Sequence, residues 1–244
     1  MAIEYVRVSF IGRSKGKNAC EVAAYNANCK IKDLRTNHSF NYSRHSTNIY
    51  HQVLLPEHVD LKFKDIALLM NEVELREKRK DSCLLKEYLL ALPDNYEISL
   101  KHKIILIRRF IEKLELIQNN VAVVIDIHQP DGDGHNWYGK LLVTARRFSS
   151  CGKYLLEKAL DLERPIRKNK GKAFIPSDVR FILPSKLWRI VQSDYFKELG
   201  LALRVDKLTA IPQEHIGLRK YGIIAEERRK AINAIQHCGS NNGN

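Results

Sequence analysis

The stretch VAVVIDIHQPDGDGHNWYGKLLVTARR, from Val121 to Arg147, constrains the fold more than any other part of the chain. Two runs rich in β-branched and apolar residues flank an acidic, glycine-containing loop, which is the pattern of two antiparallel strands. Side chains alternate faces along a strand, so Asp126 and His128 share one side of the first run. Tyr138, Lys140 and Leu142 share one side of the second. In an antiparallel pair these two sets can meet, and the chemistry of the chain turns on what the histidine then faces. Taken alone, a histidine at a strand end is either a structural residue or a ligand, and a metal site needs more ligands than spacing supplies here.

Helical and turn signals surround this hairpin. Leu100, Ile104, Ile107, Ile111 and Leu114 step by four and three, which draws one apolar stripe on a long helix packed against a core. Asn18 and Glu21 have capping-box spacing at the head of NACEVAAYNANCK, a helix whose small residues allow close approach to its neighbours. Alternation at Ile3, Tyr5, Val6 and Val8 predicts a strand before the basic turn GRSKGK. Residues 31–55 read as a polar hairpin region, and Asp60 to Leu92 as helix interrupted near KRKDS. PSKLWRIVQSDYFKELG predicts a helix stopped at Gly200, followed by a short strand over Leu201 to Val205. The basic run RPIRKNKGK is either a solvated loop or a flap that contacts phosphates.

Composition narrows the class. A chain of 244 residues with 44% hydrophobic and 28% charged residues is globular, with room for one large domain or two small ones. A formal charge of +13 points to a polyanion, and nucleic acid fits better than an anionic membrane because no basic amphipathic helix stands alone. Cys20, Cys29, Cys83, Cys151 and Cys238 contain no CxxC pair, so neither a disulfide framework nor a thiolate zinc site is expected. No apolar run reaches the roughly 18 residues of a membrane span, and the amino terminus lacks a signal-peptide pattern; the expected location is the cytoplasm, with no membrane partner.

In order along the chain, GRSKGKNACEVAAYNA, MNEVELREKRKDS, LALPDN, DIHQPDGDGHNWYGKLLVTARRF and LGLALRVDKLTAIPQEHIG resemble the relaxase domain of the MobA/MobL family. They are similar also to the TraA-type conjugative transfer relaxases, members of the HUH endonucleases. The resemblance spans residues 1–217 and implies an α+β fold, a central antiparallel β-sheet flanked by helices. It leaves 218–244 as a charged helical segment and a tail, CGSNNGN, with nothing to build a core. It further implies nicking and strand transfer at a transfer origin during plasmid or element mobilisation. The implied partners are single-stranded or hairpin DNA and relaxosome accessory proteins, and the implied cofactor is a divalent metal, magnesium or manganese, held by three histidines.

On this resemblance Tyr25 is the nucleophile position, where a phenolic oxygen forms a covalent phosphotyrosyl intermediate. Without the resemblance it reads as a core aromatic. A free phenol has a pKa of about 10 and needs positive charge nearby to act at neutral pH. Arg13, Lys15 and Lys17, at the head of the same helix, either supply that field and bind phosphate or form a solvated turn. Asn136, Arg146 and Arg147 are further DNA-binding positions, and the two arginines point to opposite faces if the strand continues. His215 is another surviving family position; Glu72, Glu74 and Glu87 read as helix-surface charges, and Trp137 as packing or a base-stacking face.

The metal motif departs from the family. His128 matches the first ligand, whereas Tyr138 and Lys140 stand where the other two histidines belong. The expectation is therefore a relaxase copy with an impaired metal site that still binds DNA. Three repairs are open: Asp126, Asp131, Asp133 or His135 as replacement ligands, Lys140 as a single positive charge at the phosphate, or metal recruited together with DNA phosphates. The alternatives are thus a fully active nickase and a non-catalytic, basic DNA-binding relic.

Overall fold

A computed structural model describes residues 2–129, 136–163 and 184–206. In chain order the elements are β1 (Ala2–Ile3), β2 (Val6–Gly12), α1 (Ala19–Asn26), β3 (Lys30–Asp33), β4 (His38–Asn41), β5 (Asn48–Leu54), α2 (Ile66–Arg76), β6 (Cys83–Ala91), α3 (Leu100–Lys113), β7 (Val123–His128), β8 (Tyr138–Thr144), β9 (Arg146–Phe148), β10 (Leu155–Lys158), α4 (Leu160–Glu163), α5 (Pro184–Glu198) and β11 (Val205–Asp206). The chain divides into Met1–Lys207 and Leu208–Asn244, and every element above belongs to the first unit. The 217/218 boundary, His215, the tail, RPIRKNKGK and the loop acids Asp131 and Asp133 with His135 lie outside the described residues.

A five-stranded sheet in the order β2-β6-β8-β7-β5, antiparallel throughout, carries the structure. This is the expected α+β architecture. On one face, Leu106, Ile107 and Phe110 of α3 and Trp188, Val191 and Phe196 of α5 cover Ile125 and Ile127 of β7 and Leu141 and Val143 of β8. On the other face, Ala19, Ala23 and Ala24 of α1 and Leu69, Met70 and Val73 of α2 cover Val124 and Leu142. Full burial of each large apolar side chain contributes about 1.5–3 kcal/mol, so the two layers are the main source of stability. Among the described residues, no helix is long and apolar enough to cross a membrane, and the four cysteines form no disulfide.

Three expectations need correction. Cys83–Ala91 is a strand, not the end of a helix, and lies between β2 and β8. Its Leu, Lys, Glu and Ala residues favour helix on propensity, but pairing on both edges and burial on both faces outweigh that preference. Glu74 is not a surface charge. Its buried carboxylate accepts from Ala19 N at 2.6 Å, Arg13 Nη2 at 2.6 Å and Arg35 Nε at 3.1 Å. One side chain of α2 thereby satisfies a free donor at the start of α1 and two guanidinium groups. Asn18 completes that start, accepting from Glu21 N at 3.1 Å and donating to Asp33 Oδ2 at 2.7 Å. The strand expected over Leu201 to Val205 is confined to Val205–Asp206, because Leu201 N still bonds Phe196 O at 2.9 Å at the end of α5.

Removing Glu74 strands two guanidinium groups and a helix-end donor, so Glu74→Ala is expected to lower unfolding stability by about 3–5 kcal/mol. Urea denaturation of the two proteins measures this; a loss below about 1 kcal/mol would show that the carboxylate does not hold α1.

Candidate functional site

Register across the sheet assembles the site. His128 pairs with Tyr138 and Asp126 with Lys140 between β7 and β8, so all four side chains share one face. Following the same level outward, Lys140 is opposite Leu89, Leu89 is opposite Arg7, and Asp126 is opposite His51. A mostly polar row therefore crosses all five strands, just beyond the apolar residues that α1 and α2 cover. The next level holds Ala91, Tyr138, His128 and Asn48.

The last turn of α1 lies over these rows. Tyr25 is 47% exposed, whereas Asn26 beside it is buried. Lys140 Nζ donates to Asn26 Oδ1 at 2.9 Å and stands 4.9 Å from the centre of the Tyr25 ring and 5.7 Å from that of Tyr138. Tyr138 in turn stacks on His128, with centroids 4.9 Å apart and planes 11° from parallel. Tyr25 also meets Tyr42 and His45 edge-on, at 5.3 and 5.8 Å. The phenol and imidazole expected to converge are thus linked through Lys140 and Tyr138. Asn48 ties the other side together, with its Nδ2 donating at 2.7 Å to both Asn26 O and Asp126 Oδ1. His51 Nδ1 also lies 2.7 Å from Asp126 Oδ1.

A cavity of about 530 Å³ opens at Tyr25, and Arg7, Lys15, Lys17, Glu87 and Lys140 are among the residues lining it. A second, about 350 Å³, shares Lys140 and is lined by Tyr5, Leu89, Ala91, Asn136, Trp137 and Tyr138. A larger hollow of about 870 Å³ lies by α3 and α5, where acidic residues such as Glu112, Glu115 and Glu198 make a poor phosphate groove.

Burial dominates the electrostatics. It pushes the His128 imidazole down to about 4, reinforced by the Lys140 ammonium, so the ring is neutral at pH 7. Burial also lowers the Lys140 ammonium, with Glu87 and Asp126 opposing that shift and Arg7 adding to it. Asp126 Oδ2, His128 Nε2 and Asn26 Nδ2 are buried without a hydrogen-bond partner among the described residues.

The expected site residues separate. Lys15, Lys17, Tyr25 and Lys140 line one cavity, Asn136 and Tyr138 line its neighbour, and His128 stacks beneath Tyr138. Arg13, Arg146 and Arg147 line neither cavity. Arg13 is held by Glu74 and also donates to Glu77 O. Arg146 Nε meets Glu77 Oε1 at 2.6 Å, and Arg147 Nη2 meets Asp161 Oδ2 at 2.7 Å. Trp137 is buried under the Lys103 ammonium, 4.5 Å from its ring centre, and serves as packing. Glu87 stands on β6, where it accepts from Ser9 Oγ at 2.8 Å and faces the cavity. Sequence reasoning missed Arg7, Asn26, Asn48 and His51. Arg7 and Ser9, polar positions alternating with Val6, Val8 and Phe10, were the available signal for a polar strand face.

The residues around His128 do not fit the metal that the resemblance implies. Its cross-strand neighbours are a phenol and an ammonium, and an ammonium has no lone pair to give while repelling a dication. Among the described residues no group of three His, Cys, Asp or Glu side chains is placed to hold an ion, and Asp126 has only its Oδ2 left, its Oδ1 being engaged by Asn48 and His51.

A model of the MobA/MobL family matches residues 17–223. The probable mobilization protein MobA of Bifidobacterium longum is 29% identical over 147 residues, covering 60% of this chain and 25% of that protein. The conjugal transfer protein TraA of Rhizobium radiobacter is 27% identical over 184 residues, covering 70% of this chain and 16% of TraA. The mobilization protein MobL of Acidithiobacillus ferridurans is 26% identical over 259 residues, covering 94% of this chain and 65% of MobL. The match thus takes in a quarter or less of the MobA and TraA relatives. A solved structure titled "Molecular Basis of Vancomycin Resistance Transfer in Staphylococcus aureus" superposes with a TM-score of 0.66 at 27% identity, covering 84% of this chain and 98% of that one.

The His128 environment has a measurable signature. An unfolded histidine binds a proton near pH 6.5, whereas the folded protein refuses it until about 4. The contribution is therefore fully present above pH 6.5 and is lost as pH falls from there to about 4. Urea denaturation across this window is expected to give a steeper decline for the wild type than for His128→Gln; equal slopes would mean that folding leaves the proton affinity of His128 unchanged.

Proposed function

Because the chain belongs to the MobA/MobL family, we propose that it acts in conjugative mobilisation by holding a single strand of a transfer origin against Tyr25, with metal-assisted nicking impaired. The observation that carries this reading is the cavity in which a half-exposed tyrosine meets Arg7, Lys15, Lys17 and Lys140. Phosphodiesters carry one negative charge each, and a groove with several cations on its wall attracts them by releasing their counterions. Of the hydroxyl groups on that wall, Ser9 is bonded to Glu87 and Tyr42 is half-buried, whereas the Tyr25 phenol is exposed; its oxygen can attack phosphorus and keep the bond energy in a phosphotyrosyl ester.

The apolar second cavity supports single-stranded over duplex substrate. Its lining by Leu89, Ala91, Tyr5 and Tyr138 suits an unstacked base, while Lys140 on the shared wall suits the adjoining phosphate. Impairment follows from the donor set, since Tyr138 and Lys140 face His128 and Asp126 where imidazoles would be needed. Accessory proteins of a transfer complex and a cytoplasmic setting belong to the same reading.

Two measurements test it. Binding of a labelled single-stranded oligonucleotide library should weaken with salt, and Lys15→Ala with Lys17→Ala should reduce the slope of log affinity against log salt by about 1.4, at ~0.7 per lost phosphate contact. Wild-type binding that ignores salt would remove DNA from the proposal. Any covalent protein–DNA adduct on denaturing gels should vanish in Tyr25→Phe; an adduct that survives places the nucleophile elsewhere.

A further inference from the structure

Lys140 is the residue that most disturbs a metal site, and it is also the one best placed to act in a metal's stead. It projects from β8, the middle strand of the sheet, into the wall common to both cavities. Its position is fixed by three contacts: the hydrogen bond to Asn26 Oδ1 at 2.9 Å and the ring faces of Tyr25 and Tyr138 at 4.9 and 5.7 Å. Asn26 is itself held, since Asn48 Nδ2 bonds its backbone oxygen at 2.7 Å. The ammonium is therefore oriented before any ligand arrives, the condition under which a charge stabilises a transition state without reorganising.

Its charge is also unspent. Glu87 and Asp126 act on it, but neither forms an ion pair with it among the described residues, and its hydrogen-bond partner is a neutral amide. Arg13, Arg146 and Arg147 differ in this respect, each being closed against a carboxylate. An ammonium with spare N–H donors beside an exposed phenol matches one non-bridging oxygen of a phosphodiester.

We propose that Lys140 is the resident cation of the Tyr25 site and that the chain transfers a DNA phosphoryl group to Tyr25 and back without a divalent metal, an inference resting on the single-strand binding reading above. Tyr25 Oη forms a bond to phosphorus as the bond from phosphorus to the leaving sugar oxygen breaks. The phenolic proton passes through solvent to that oxygen, and Lys140 donates hydrogen bonds to the phosphoryl oxygen on which charge accumulates. The reverse step restores the phosphodiester and the phenol, so no oxidant or co-reactant is consumed. Lys140 is on this view a catalytic residue, with Asn26 and Asn48 as positioning residues.

The test uses the full chain, a labelled single-stranded oligonucleotide library, and adduct yield on denaturing gels with manganese or with excess EDTA. Equal adduct in both conditions is expected. Lys140→Gln should lower adduct formation by about 100-fold while DNA affinity, read by filter binding, falls far less. Lys140→Arg should restore part of the yield, and matching circular dichroism melts confirm that both variants fold. Tyr138→His combined with Lys140→His should bind manganese by calorimetry, which the wild type should not, and its adduct should then depend on that metal. Adduct that requires manganese in the wild type, or full activity in Lys140→Gln, overturns the role of Lys140. Adduct absent in both conditions while DNA still binds overturns it as well and leaves the binding reading intact, whereas failure to bind DNA overturns both.

Discussion

Asp126 opposite Lys140 and His128 opposite Tyr138 are consequences of one alignment of β7 against β8. A slip of β7 by a single residue would send Asp126 and His128 toward α3 and α5 and bring Ile125 and Ile127 out toward α1, leaving Tyr138 and Lys140 without these partners. The alignment is fixed by those apolar residues, which are fully buried on the α3 side. Hydrophobic packing on one face thus determines which charges meet on the other. That coupling places the ammonium beside Tyr25 even though 114 positions separate Lys140 from its hydrogen-bond partner Asn26.

The arrangement carries a cost. Buried polar atoms without partners are worth about 1–3 kcal/mol each when left dry, and three of them, on Asn26, Asp126 and His128, lie in adjacent rows of this face. The surrounding carboxylates offset part of that cost differently on each side. Glu74 is fully engaged and serves structure, fastening α1 to α2. Asp126 has one oxygen engaged and one without a partner, and it helps keep Lys140 charged in a buried setting. Basic residues divide in the same way, into those closed by acids and those left facing a cavity, a distinction that net charge does not contain.

Much of the frame was legible in the residues. The apolar stripe from Leu100 to Leu114 and the Asn18 cap were readable because helices announce themselves through local spacing, and both take that form. The two strands of the hairpin were readable for the same reason at period two. β6 was not, because Leu, Glu and Lys favour a helix and only pairing with β2 and β8 makes them a strand. That Tyr138 and Lys140 come together with His128 and Asp126 on one face was legible from the alternation of the two strands. Arg13, left open between a phosphate contact and a solvated turn, is held by Glu74, which lies 61 positions away and looked like surface charge. Asn26, Asn48 and His51 carry no local signal, and their joining depends wholly on tertiary register.

Gly139 sits between Tyr138 and Lys140 and faces the opposite layer, where a β-carbon would stand 2.9 Å from Ile107 Cδ1. The strand thereby has two unlike sides: on one, α3 packs so closely that an added methyl group would have to displace the tip of the Ile107 side chain, while the other opens on hollows. Reactive equipment can be swapped on the open side without unseating the helix behind it. A scaffold built this way can lose one kind of cation and acquire another while keeping its architecture.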